Sequence, residues 1–133
     1  MATYLLDTGL VLRHLRGQRR TVQLLRRLGK ESRLAIASVT RLEVHAGMQA
    51  EERYATQKLL ARLATLDLDR DIADRAGDLI AASKRAGRPL SVPDAIIAAT
   101  AIGHRLTLVT LNPGDFQSIA GLRLFVLDEL AGD

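Results

Sequence analysis

Residues 3–15, TYLLDTGLVLRHL, decide how this chain is to be read. Thr3 to Leu6 is a short apolar run of the kind that forms a buried strand, and Asp7 ends it. Leu10, Val11, Leu12 and Leu15 then follow at helical spacing, and Gly17 closes the segment. A strand handing over to a helix in so few residues is the opening of a βα unit. The triplet Asp7-Thr8-Gly9 also matches the active-site triplet of aspartic proteases. Those enzymes are all-β, whereas an arginine-rich helix follows Gly9 here and no second Asp-Thr-Gly occurs in the chain. The protease reading fails on what surrounds the triplet.

The same alternation continues along the chain. Val22, Leu24, Leu25 and Leu28 predict a second helix closed by Gly29, and residues 33–37 a second strand. Ser38 is expected to cap a helix running to Gly47, and a charged amphipathic helix should span residues 51–63. A third strand is expected over 65–68, a long helix over 69–86 with acids in its first turns, and a nearly apolar helix over 93–102. Residues 106–110 predict a fourth strand, Asn112-Pro113 a short helix, and 122–127 a fifth strand. Short apolar strands between helices indicate a parallel sheet covered on both faces. The expected architecture is a three-layer α/β/α domain with a five-stranded parallel sheet, filling residues 1–133 as one domain.

Composition narrows the chemistry. With 47% hydrophobic residues the chain can bury a core, and with no cysteine it has neither disulfides nor thiolate metal sites. Asp7 interrupts the first apolar stretch, so the start does not read as a signal peptide, and no apolar run approaches the length of a membrane span. A soluble, cytoplasmic protein with no membrane partner is expected. Eight of the 19 basic residues lie between Arg13 and Arg33, opposed there only by Glu31, and such a patch attracts polyanions or an acidic partner. Aromatic residues are 3% of the chain, which argues against a platform for stacking single-stranded bases.

In an open parallel sheet the ligand site lies beyond the carboxyl ends of the strands. Asp7 stands at the end of the first strand and Asp115 shortly after the fourth. Glu43 lies one helical turn past Ser38, and Asp94 begins the apolar helix. Each has an ordinary alternative as a helix cap, because Thr40-x-x-Glu43, Ser91-x-x-Asp94 and Asn112-x-x-Asp115 have or approach capping-box spacing. Glu43 fits that alternative poorly, since it shares an expected inward stripe with Val39, Leu42 and Ala46. Asp94 sits on a helix with almost no polar face. Buried carboxylates are unfavourable unless paired or bound to metal, and a like-charged pair at about 4 Å costs on the order of 4 kcal/mol at an effective dielectric near 20. Four converging acids without cysteine suit Mg²⁺ or Mn²⁺ better than zinc. His14, His45 and His104 lack ligand spacing and read as surface or packing residues. No glycine-rich phosphate loop is present.

YLLDTGLVL (4–12), ASVTRLEVHAGM (37–48), VPDAIIAATA (92–101) and LVTLNPGDF (108–116), in this order, resemble the PIN-domain ribonucleases, in particular the VapC toxins of toxin–antitoxin pairs. The resemblance implies that Asp7, Glu43, Asp94 and Asp115 form the catalytic site, with Asp7, Asp94, Asp115 and also Glu43 as candidate ligands of Mg²⁺ or Mn²⁺. It implies supporting roles for Thr8, Thr110 and Asn112, a homodimer, and inhibition by a small VapB-type antitoxin. The activity it implies is endoribonucleolytic hydrolysis of RNA, with Arg13, Arg16 and Arg19 as candidate RNA contacts. One departure is Gly9, where the family usually carries Asn or Ser. A PIN-like module that binds RNA or a partner with weakened catalysis is the alternative, and a DNA nuclease sharing the acids ranks behind it.

Overall fold

The computed structural model describes residues 2–125 and 127. Five parallel strands form one sheet: β1 (Ala2–Leu6), β2 (Arg33–Ala37), β3 (Ala64–Leu66), β4 (Thr107–Val109) and β5 (Arg123–Phe125), in the order β3-β2-β1-β4-β5. The helices are α1 (Thr8–Leu15), α2 (Arg19–Glu31), α3 (Ser38–Ala46), α4 (Arg53–Ala61), α5 (Arg70–Arg85) and α6 (Val92–His104), with 3-10 turns at Ala50–Glu52 and Pro113–Asp115. The chain builds outward from β1 through β2 to β3, then returns to the other side of β1 for β4 and β5. That reversal opens a crevice beyond the carboxyl ends of β1 and β4.

Successive strand residues face opposite layers. Leu6, Leu34, Ile36 and Val109 pack with Leu10 and Val11 of α1, Leu24, Leu25 and Leu28 of α2, and Leu60 of α4. Their neighbours Leu5, Ala35, Ala37 and Leu108 pack with Ile97, Ala98 and Ala101 of α6 and with Phe116. Helix α5 covers α6 from outside through Ile72 and Ala76. Both sheet faces are thus apolar, which is why the strands read as continuous hydrophobic runs.

Several expected boundaries move. Helix α2 runs through Gly29 to Glu31, because Leu24, Leu25 and Leu28 bury a continuous stripe and outweigh the weak helix propensity of one glycine. Ser38 does not cap α3: Ala37 takes that position, and the Ser38 hydroxyl accepts a hydrogen bond from the Leu68 backbone N–H instead. The helix expected over 51–63 begins as a 3-10 turn closed by a Gln49–Glu52 capping box, then becomes α4. The third strand ends at Leu66 and the fourth is confined to three residues. Val126, within the expected fifth strand, lies outside the described residues.

Candidate functional site

Asp7 leaves β1 at the reversal point, its backbone N–H bonded to the Val109 carbonyl of the neighbouring strand at 3.0 Å. Its side chain is 7% exposed. One carboxylate oxygen caps α1 by accepting from the Thr8 N–H at 2.8 Å, and the other accepts from the Thr110 hydroxyl at 2.6 Å. Capping and site roles therefore coexist in one residue, because two oxygens supply about four lone-pair positions and two are used. Thr110 in turn accepts from the Asn112 backbone N–H at 3.1 Å, which ties the end of β4 to the turn carrying Asp115.

Glu43 reaches the same crevice from α3. The Thr8 hydroxyl donates to its Oε1 at 2.7 Å and shares a second hydrogen bond, at 3.0 Å, with the buried hydroxyl of Thr40. The expected inward stripe is not the observed one. Leu42 is 65% exposed and Ala46 is exposed, whereas Thr40 and Val44 are buried. Glu43 is half-buried because Thr8 holds it, not because it lies on the core face.

Asp94 stands in the first turn of α6. Ser91 is the cap, its hydroxyl accepting from the Asp94 N–H at 3.2 Å, and Pro93 occupies the first turn, where no N–H is needed. Asp115 closes the 3-10 turn at Pro113–Asp115 and is exposed; the Asn112 side chain makes no cap there. Burial raises the pKa of Asp7 first, opposed by the bonds from Thr110 and Thr8 and reinforced by the charges of Glu43 and Asp115. The pKa of Asp94 is also raised, by burial and then by Asp7, with Asp115 and Glu43 contributing and the Ser91 hydroxyl opposing. All four carboxylates thus share one electrostatic field.

Among the described residues no three His, Asp or Glu side chains stand close enough to chelate a metal ion directly. The donor set is nonetheless the one a hard, hydrated cation takes. Mg²⁺ keeps several waters and is commonly held by one or two carboxylates, so acids spread around a crevice fit it through water as well as directly.

The arginine candidates lie elsewhere. Thr8 begins α1 at the acids, and Arg13, Arg16 and Arg19 follow toward and past its far end, about 12 Å along the helix axis. A cation that the sequence pattern did not single out is nearer. Arg88, on the connection between α5 and α6, lines the same cavity as Asp94 and Asp115, of about 460 Å³. Thr40, read from sequence only as part of a capping box, is the other missed residue; its hydroxyl partner is 32 positions away, and no local pattern announces it. Gly9 has no positive φ, and a Cβ built there meets only Leu111 Cδ1, at 3.8 Å, an ordinary contact that leaves room for a β-carbon.

Comparison with known proteins adds an independent finding. The family model described as PIN domain matches residues 4–122. Ribonuclease VapC10 of Mycobacterium tuberculosis is 34% identical over 119 residues, 90% of each chain. The tRNA(fMet)-specific endonuclease VapC of Salmonella typhimurium is 35% identical over 100 residues, 70% of this chain and 74% of that one. Among solved structures, a toxin–antitoxin complex from Klebsiella pneumoniae superposes with a TM-score of 0.79 at 32% identity, covering 93% of this chain and 97% of that chain.

Proposed function

Since the chain belongs to the PIN-domain family, we propose that it is a metal-dependent endoribonuclease, the toxin of a VapBC-type pair. The observation that carries this reading is that Asp7 and Asp94, the first of them at the point where the sheet reverses its order, each feel the charges of Glu43 and Asp115. Asp7, Asp94 and Asp115, with Glu43, would hold Mg²⁺ or Mn²⁺. A bound divalent ion supplies polarisation of the scissile phosphate and a lowered pKa for the attacking water. Glu43, fixed by Thr8, would be placed to orient a water, and the Thr110 hydroxyl and Thr8 N–H hold the Asp7 carboxylate in place. In-line attack leaves a 5′-phosphate and a 3′-hydroxyl.

The substrate is RNA, in keeping with the ribonuclease and tRNA endonuclease names of the relatives. The regulating partner is a VapB-type antitoxin, as the Klebsiella complex suggests by likeness, and the working form is a homodimer in the cytoplasm. No helix among the described residues is long and apolar enough to cross a membrane. The test is incubation of the antitoxin-free protein with a transfer RNA pool in Mg²⁺, Mn²⁺ or EDTA, beside Asp94→Asn. Discrete fragments that require metal and fall at least about 100-fold in the variant are expected. Equal cleavage by Asp94→Asn overturns the assignment. RNA that binds but stays intact with every metal favours the binding module.

A further inference from the structure

We propose that the cavity between the α5–α6 connection and the Pro113–Asp115 turn is a nucleotide subsite, in which Arg88 holds the phosphate next to the one that is cut. This rests on the ribonuclease reading and adds to it the residue that positions the strand. Arg88 and Leu90 line one side and Ser118 and Ile119 another, while Asp94 and Asp115 belong to the same lining. The cavity thus joins apolar surface for a sugar or base, hydroxyls, and one cation to two of the four acids. At about 460 Å³ it falls within the size range of small-ligand pockets.

Charge explains why a cation is needed there. The field of the four carboxylates repels every phosphate except one neutralised by metal. The neighbouring phosphate of the same strand needs its own counter-charge, and a guanidinium provides it with paired donors. Arg13, Arg16 and Arg19 lie toward and past the far end of α1, whereas Arg88 shares a cavity wall with Asp94 and Asp115. Among the described residues the Arg88 side chain makes no hydrogen bond or ion pair, so its donors are open to a ligand.

The backbone that carries Arg88 is built rather than loose. Helix α5 ends with Gly87 at φ +75°, its N–H bonded to the Lys84 carbonyl, while the Arg88 N–H bonds to the Ser83 carbonyl at 2.9 Å. This is a Schellman cap, and it fixes the Arg88 Cα relative to the helix. Pro89 then restricts Arg88 to extended backbone. The Ser83 hydroxyl donates to the Ile80 carbonyl at 2.8 Å and accepts from the Leu90 N–H at 2.9 Å, which pins the connection from its far side. Every one of these bonds uses Ser83 or backbone, so truncating the Arg88 side chain leaves them intact.

The experiment measures binding of a fluorescein-labelled eight-residue oligouridylate in EDTA across a salt series, and cleavage of the transfer RNA pool in Mg²⁺. Arg88→Ala should weaken binding about 5- to 10-fold and lower the log–log salt slope by about 1, with Arg88→Lys restoring the slope. In cleavage KM should rise while kcat changes less, and Tm should match the parent. Unchanged affinity and slope in Arg88→Ala overturn the proposal, as does a loss confined to kcat. Asp94→Asn separates the two readings: with one repelling carboxylate of the cavity removed it should bind the probe at least as tightly as the parent, while its cleavage falls at least about 100-fold. If the parent itself never cuts, the ribonuclease reading fails while the Arg88 binding result still decides the subsite.

Discussion

The cavity among α1, α2 and α4 holds about 620 Å³, against about 460 Å³ for the one beside the acids, and the two differ more in their walls than in their volumes. The larger is apolar with a cationic rim: Leu25, Leu34, Leu59 and Leu63 line it together with Arg26, Arg33 and Arg62. His14 opens into it with a buried Nδ1 that has no hydrogen-bond partner, and burial, then Arg62 and Arg26, lower its pKa. It faces the α1/α2/α4 core. The smaller borders α5 and α6 and contains two of the converging carboxylates. Volume does not separate the two; the sign of the charge in their walls does. Hydrolysis at a phosphate requires groups that can hold a cation and a water, and of these two cavities the smaller is the one lined by carboxylates.

The hardest blow to this contrast comes from Asp7→Asn. It should reduce cleavage at least about 100-fold, because it removes the most buried of the acids. In EDTA at pH 7 it should also raise Tm. The sign follows from linkage: folding raises the Asp7 pKa above the ordinary 3.8, so the folded chain binds more protons than the unfolded one just above that pH. The ionised group therefore subtracts stability at neutral pH, and that penalty disappears as pH falls below 3.8. The gain in Tm from Asn should shrink in the same direction. A variant that loses Tm but keeps full cleavage would mean that Asp7 acts as a cap alone, and the contrast would break.

A middle effect is expected at Thr8. Thr8→Val removes the donor to Glu43 and strands the Thr40 hydroxyl, while the Thr8 N–H to Asp7 remains. Cleavage should drop about tenfold, as for other groups that orient a site rather than react in it, and stability by about 1 kcal/mol for the orphaned hydroxyl. Differential scanning and single-turnover cleavage read the two separately. A loss of stability with full activity would remove Glu43 from the chemistry.

The smallest effect is expected in the larger cavity. A His pKa lowered from 6.5 means that the unfolded chain binds more protons than the folded one below that value. His14 therefore contributes stability that is present above pH 6.5 and is lost as pH falls through its folded pKa. His14→Leu should cut RNA like the parent and show a smaller fall in Tm between pH 7 and pH 5.5. Impaired cleavage in this variant would tie the two cavities together and end the distinction drawn between them.

Much of this was legible before any coordinates. Apolar runs of strand length between amphipathic helices gave the parallel sheet, and both layers follow because each face of every strand is hydrophobic. Asp7 and Asp94 were readable for local reasons, one ending a strand and the other heading a helix without a polar face. Glu43 reaches the crevice for a different reason than its spacing suggested, held by the Thr8 hydroxyl while the stripe expected to carry it inward is in part exposed. Helix ends were the weakest reading, because α2 continues past Gly29 when tertiary burial outweighs local propensity.

By itself, then, the sequence determined the order of elements, the apolar faces and the family, and singled out four acids as candidates, because each rests on local period or on short contiguous motifs. Only the tertiary structure decided what joins them. The Thr8–Thr40–Glu43 bonds, the Thr110–Asp7 bond across 103 residues, and the place of Arg88 in the acid cavity depend on strand order and helix caps. Contacts between residues far apart in the chain arise from packing, and no local pattern encodes them.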